Sequence, residues 1–462
     1  MSRNTFGRLV LMTAMVIGLT AGFTSKANAQ IYLKLPYPII FVTINEFQEI
    51  TAGANHTCVR KFDGTVYCWG LDTNGQIGVP PTVTKCQDLP VQNPAQISIA
   101  PATYQPCVDK PTNVPTPASA SQITAGSNHT CAITGSVVSC WGGNSMGQLG
   151  NGDPNLADKT MAQNVNTSVQ FTQIAAGDRG TCGLSGSGVF CWGQLPYNPL
   201  TNTSFSPSTN LPKQLFPTVG FANLTMGSQF ACFVWTSGGQ NQADCTGIDN
   251  KGQLGVVNMI GSPSAPSWMP KDSSGTPFAN FMVASSLGQL AVTRSSAGNA
   301  YVCGDLNNST VQCMGSNSAG QLGTSGGDRA NAQAVVNTNG VAATLHGVTT
   351  GLNHACALDG SGYAYCWGAG EHGQLGGIAI GWGTKTNYAY QVSGTIKFYA
   401  LAAGDNHTCG IGTDSYIYCW GDNEYGQLGV GMSNVNPNST FDPNFAWPPT
   451  SYTATPQRIA AF

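Results

Sequence analysis

Apolar and aromatic positions in this chain come in short bursts separated by glycine, and the clearest case runs from Leu401 to Gly429, LAAGDNHTCGIGTDSYIYCWGDNEYGQLG. The pattern predicts two short strands facing each other across a tight turn, one from Asn406 to Cys409 and one from Tyr416 to Trp420. Gly404, Gly412, Gly421, Gly426 and Gly429 stand where a chain must turn or take a positive φ.

The same pattern returns in seven copies, some of them worn. The first opens at Phe47 and ends at Gly78, the second runs from Gln122 to Gly150, and the third opens at Phe171 and loses the Gly-Gln-Leu-Gly ending. The fourth opens at Phe221 and carries Thr246 where most copies have Trp. The fifth admits two registers. Phe278-Ala279-Asn280 repeats the opening of the fourth copy, whereas Ala297-Gly298 sits at the usual distance before Cys303; Met314 replaces Trp at the end. The sixth, VTTGLNHACALDGSGYAYCWGAGEHGQLG, and the seventh are clean. Six steps from Cys58 to Cys409 cover 351 residues, a mean period of 58.5.

Units this small cannot bury a face alone, so neighbours must stack. Strands of this length turned by glycine suit a radial propeller or a linear solenoid, and a propeller protects its edges because its last unit meets its first. The expected boundaries are 47–120, 121–170, 171–218, 219–277, 278–345, 346–398 and 399–462, preceded by an N-terminal strand segment, 30–46, with the β-branched run Ile39 to Ile44.

Composition narrows the class. Glycine supplies 58 of 462 residues and charged residues only 8%, describing a turn-rich β-protein with a Ser/Thr/Asn/Gln surface. A net charge of −3 gives no basic field, so no nucleic-acid partner is expected. At the N-terminus, Arg3 and Arg8, an apolar run from Leu9 to Phe23, and Ala27-Asn28-Ala29 read as a secretory signal peptide over residues 1–29. The apolar run is short and broken by Gly18, Thr20 and Gly22, and the mature chain contains no other stretch long enough to span a bilayer. A secreted, periplasmic or cell-surface location follows, where thiols oxidise.

Fourteen of the sixteen cysteines fall in pairs: Cys58 and Cys68, Cys131 and Cys140, Cys182 and Cys191, Cys232 and Cys245, Cys303 and Cys313, Cys356 and Cys366, Cys409 and Cys419. So regular a spacing implies one bond type repeated, because opposed residues in a non-hydrogen-bonded antiparallel pair bring their Cα atoms to ~4.5 Å, within disulfide range. Cys86 and Cys107 lie in one insertion and close it. The chain has no C-x₂-C knuckle for zinc, and every cysteine has a mate, which argues against thiol catalysis.

The motif resembles the regulator of chromosome condensation repeat family. The likeness rests on Ala-Gly, Asn-His-Thr-Cys, Cys-Trp-Gly and Asn-x-x-Gly-Gln-Leu-Gly, fullest in Asn55 to Gly78, Asn128 to Gly150, Asn353 to Gly376 and Asn406 to Gly429. The resemblance implies a seven-bladed β-propeller closed by strand exchange, with the strand around Thr455 to Ala461 pairing with the N-terminal blade. It implies protein–protein contact as the mode of action, although no contact residue of a family member is matched here. The repeated cysteine pair departs from nuclear members of the family and fits an exported variant.

Recurring His56, His129, His354 and His407 suggest catalysis or metal, but one residue per unit is better explained as a repeated structural hydrogen bond. Trp69, Trp141, Trp192, Trp367 and Trp420 should fill the space between blades. The sequons at Asn55, Asn128 and Asn406 fall on expected strands, which makes glycosylation of all three improbable. Gly-Gln-Leu-Gly lacks the Lys-Ser/Thr of a phosphate loop and reads as a turn with a buried Leu. Neither a cofactor nor an enzymatic constellation is expected.

Function is expected in the insertions, Val79 to Ala120, Gln194 to Pro212, Val256 to Pro277 and Val430 to Thr453, with Tyr104, Tyr197, Trp268, Trp382 and Trp447 as candidate anchors. The expected role is a scaffold binding a protein or an extracellular polymer through one face. The alternative is a structural subunit of an extracellular or cell-surface assembly, joined through the apolar strand Ile39 to Ile44 or its neighbours and open to self-assembly; a third reading, an enzyme with its site in the central funnel, would need a cluster of acids or a bound metal there.

Overall fold

A glycine-cornered strand pair with opposed cysteines is the local unit from which the molecule is assembled. The computed structural model describes residues 46–80, 85–87, 104–115, 119–194, 208–216, 221–228, 230–237, 240–247, 251–254, 283–284, 292–298, 300–306, 309–377, 384–431 and 452–459. The first sheet holds β1 (Phe47–Ala52), β2 (His56–Lys61), β3 (Val66–Leu71), β4 (Lys85–Gln87) and β5 (Tyr104–Asn113), in the order β1-β2-β3-β5-β4. The second holds β6 (Ala120–Ala125), β7 (His129–Thr134), β8 (Val137–Gly142) and β9 (Lys159–Asn164). The third is β10 (Phe171–Ala176), β11 (Gly180–Ser185), β12 (Gly188–Gly193) and β13 (Thr209–Phe216). The fourth is β14 (Phe221–Met226), β15 (Phe230–Ser237), β16 (Gln240–Gly247) and β17 (Val283–Ala284). The fifth is β18 (Val292–Ala297), β19 (Tyr301–Leu306), β20 (Val311–Gly315) and β21 (Arg329–Ala334). The sixth is β22 (His346–Thr350), β23 (His354–Leu358), β24 (Ala364–Gly368) and β25 (Thr386–Gln391). The seventh is β26 (Phe398–Ala403), β27 (His407–Gly412), β28 (Ile417–Asp422) and β29 (Tyr452–Arg458).

Six of the sheets are simple antiparallel meanders and the first adds β4 outside its fourth strand β5; together they form a seven-bladed propeller with the first strand of each blade innermost. In every blade the second and third strands place the two cysteines directly opposite each other, as Cys58 with Cys68 and Cys409 with Cys419. Their Cα atoms lie 4.0–4.1 Å apart in these seven bonds. The eighth bond, Cys86–Cys107, joins β4 to β5, and all sixteen cysteines are paired.

The Trp-Gly step of the motif has a mechanical reason. In most blades the pairing of third and fourth strands shifts register there, and the glycine takes a positive φ, 111° at Gly70 and 102° at Gly421. A Cβ on Gly421 would lie 2.5 Å from the Asn406 carbonyl oxygen, so no other residue fits beside the turn.

The core lies between blades. Trp141 of the second blade is fully buried against Cys58, Cys68 and Ile77 of the first, and Trp69 against Cys409, Cys419 and Leu428 of the seventh. This last cluster closes the ring, and here the sequence expectation is corrected. The C-terminal strand β29 pairs with β28 of its own blade, not with the N-terminal blade. The seventh and first blades meet by packing of β26 on β1, as at every other seam. The fifth register resolves onto Ala297-Gly298, and the fourth sheet extends to Ala284, past the boundary expected at 277/278. The signal-peptide segment and the run Ile39 to Ile44 lie outside the described residues.

Candidate functional site

Two faces follow from the meander. One carries the turn from first to second strand and the connection from third to fourth; the other carries the second-to-third hairpins and the links between blades. The hairpins span only 2 to 5 residues, whereas the third-to-fourth connections span 32 in the first blade, 35 in the fourth and 29 in the seventh. By strand direction, the expected insertions Gln194 to Pro212, Val256 to Pro277 and Val430 to Thr453 leave from and lead back to that face, whereas Val79 to Ala120 also contains β5 and ends at the start of β6 on the opposite face.

At the centre of that face the first turns converge on an axial cavity of about 200 Å³, with walls from all seven blades. Convergence demands small residues. A Cβ on Gly404 would sit 2.1 Å from the His407 ring and 2.5 Å from the Gly53 carbonyl oxygen of the next blade, and Gly53 and Gly351 are enclosed in the same way. The position after each glycine varies: Ala54, Ser127, Asp178, Ser228, Leu352 and Asp405 among the described residues. Asp178 accepts a hydrogen bond from the Ser228 hydroxyl at 3.4 Å and lies 4.0 Å from Nε of Arg179. Burial, reinforced by the charge of Asp178, raises the Asp405 carboxyl to about 6.

Behind the cavity four of the seven seams are locked by a relay. The His56 Nε2 bonds the Thr130 hydroxyl at 2.9 Å, and Thr130 donates to the Gln76 carbonyl oxygen at 2.9 Å. The same relay joins His129 to Thr181 and Gln148, His354 to Thr408 and Gln374, and His407 to Thr57 and Gln427. Because each threonine gives its one proton to a carbonyl, the imidazole donates from Nε2–H, and burial keeps the ring neutral. At three of these seams the Gln carbonyl also accepts from the next blade's tryptophan, at 2.9 Å for Trp69 on Gln427 and Trp420 on Gln374 and 3.0 Å for Trp141 on Gln76. Gly-Gln-Leu-Gly is thus a clasp: in the second blade the Gln148 side chain accepts from Met146 N–H, and Asn144 accepts from Leu149 N–H.

The histidines are accordingly in the seams, fully buried, and not gathered into a site. Among the described residues, no three His, Cys, Asp or Glu side chains are placed to hold a metal. Asn55, Asn128 and Asn406 sit in bends before the second strands, not on strands as expected, because the Gly-Ala/Ser/Asp-Asn step is the turn itself; Asn128 is exposed. Tyr104 begins β5 at the outer end of the first blade. Tyr197, Trp268, Trp382 and Trp447 lie outside the described residues. Sequence reasoning missed Asp178 and Asp405. Their signal was available, as the position that changes most from copy to copy inside the repeated turn.

Models of the regulator of chromosome condensation (RCC1) repeat match residues 47–76, 63–133, 346–374 and 398–427. The chain carries RCC1 repeats in its first, second, sixth and seventh blades. Among curated relatives, the ultraviolet-B receptor UVR8 of Arabidopsis thaliana is 25% identical over 316 residues, 67% of this chain and 66% of the receptor. The human probable E3 ubiquitin-protein ligase HERC6 is 32% identical over 126 residues, and the match spans 27% of this chain but 12% of the ligase. Among solved structures, human WBSCR16 superposes with a TM-score of 0.64 at 16% identity, covering 86% of this chain and 94% of that one. Prp20p of Saccharomyces cerevisiae gives 0.63 at 18% identity, covering 89% and 86%. These RCC1-repeat propellers share the blade plan. Asp178 and Asp405 stand at a position that differs from blade to blade within this chain.

Proposed function

We propose that this chain is an exported interaction scaffold that binds a protein or a surface polymer through the face bearing the axial cavity. The observation that carries the reading is the asymmetry of the faces: one has hairpins of 2 to 5 residues, the other connections of up to 35. Long connections on a rigid frame are where recognition is placed. An RCC1-repeat propeller is a protein-interaction scaffold in kind, and the yeast neighbour Prp20p has binding properties toward Gsp1p and histones. Export is supported by eight disulfides with no cysteine left over.

The test is affinity capture from the native extracellular or periplasmic fraction, using the intact chain and variants in which Val256 to Pro277 or Val430 to Thr453 is replaced by a short Gly/Ser linker. Captured material should be lost with one of these replacements and kept when Phe62→Ser alters the opposite face. Capture indifferent to both loops and abolished by Phe62→Ser would reverse the assignment.

A further inference from the structure

We propose that the axial cavity binds a primary alkylammonium group, offered by a free amine or by the tip of a lysine side chain. The cavity holds about 200 Å³ at the point where seven blades meet, and its described walls carry only two ionisable side chains, Asp178 and Asp405. They stand in the third and seventh blades, three and four steps apart around the ring, so both carboxylates border one axial cavity that opens at that face.

The chemistry of the walls sets the class of ligand. Among the described residues the Asp405 carboxylate has neither a hydrogen-bond nor an ion-pair partner, and Asp178 has one hydroxyl and a half-exposed arginine at 4.0 Å. Two carboxylates facing one cavity repel, as the effect of the Asp178 charge on Asp405 shows, and a cation between them relieves both. No lysine, arginine or histidine among the described lining residues competes for them. A calcium-like ion needs six or more oxygen ligands, and two carboxylates fall short. The remaining walls, with Ala52, Ala125, Met226 and Leu352, suit a short alkyl chain behind a charged head. The inference does not depend on which macromolecule the face engages, so its failure would leave the scaffold reading standing.

The experiment is isothermal titration of the whole mature protein with n-butylamine near neutral pH and low salt, repeated on Asp405→Asn and Asp178→Asn. Saturable binding is expected for n-butylamine and not for n-butanol, weakened about tenfold or more in each variant. Because the two substitutions are near-isosteric and in different blades, a folding defect in one leaves the other to decide. A blocked pentapeptide with one central lysine, set against its norleucine analogue, separates the sources: binding by the peptide assigns the site to a lysine side chain, binding by the amine alone to a small molecule. Butanol binding as well as butylamine, or affinities unchanged in both variants, would overturn the proposal.

Discussion

A buried imidazole is tolerated here because a threonine hydroxyl and a carbonyl oxygen fix its proton. Burial, with neighbouring histidines contributing for His56 and His407, pulls His56, His354 and His407 down to about 3 and His129 to about 4. The unfolded chain therefore binds more protons than the folded one between about pH 6.5 and pH 3, and stability should fall as pH drops through that window. Asp72 and Asp405, raised to about 6 by burial, oppose the trend between about 6 and 3.8. Urea midpoints taken at intervals from pH 7.5 to 4 should show the net loss. At a single seam, Thr57→Val leaves the His407 Nε2–H buried without an acceptor and should cost about 1–3 kcal/mol. Adding His407→Phe should recover part of that loss, because the fourth and fifth blades already use Phe230 against Val302. A double variant as unstable as the sum of its parts would contradict this account of the seam.

At the scale of strands, what the sequence made legible follows from how many neighbours a strand touches. Second and third strands face both the adjoining blade and a cross-strand cysteine, so Asn-His-Thr-Cys and Cys-Trp-Gly repeat nearly unchanged. Fourth strands face outward: in β9, Lys159–Asn164, every residue is half-buried or exposed, and nothing holds its composition to a pattern. That is why β17 and the true partner of β29 were not legible, while the Cys303 register of the fifth blade, set by the disulfide, was one of the two read. The acidic pair was missed for the converse reason, since its position touches solvent at the axis and differs from copy to copy. Trp69→Ala should cost about 3–5 kcal/mol by cavity formation, read as a shift in urea midpoint. Removing Cys58–Cys68 as a Ser pair should cost about 2–3 kcal/mol, subject to the chain-entropy treatment of its ten-residue loop.

For the whole molecule, closure by packing instead of strand exchange means that the seam between seventh and first blades resembles its neighbours: Thr57, Trp69 and Gln427 repeat the arrangement of Thr130, Trp141 and Gln76. Cutting the chain between Asn164 and Phe171, where six residues link two blades, and joining 459 to 46 by a linker of similar length should give a folded permutant. Its urea midpoint should lie close to that of the parent, whereas a ring dependent on one privileged seam would not survive the transfer.

The relay of histidine and threonine is not uniform around that ring. It holds four consecutive junctions, from the sixth blade round to the third; two of the other three set Gly180 against Ala231 and Phe230 against Val302, and the last sets Tyr301 against Ala355 with its hydroxyl donating to the Gly351 carbonyl oxygen at 3.1 Å. Protonation attacks the first sector, while apolar contact weakens on cooling. Acid and chilling should thus loosen opposite arcs of one wheel, and amide exchange followed by mass spectrometry would show each arc yielding to its own stress.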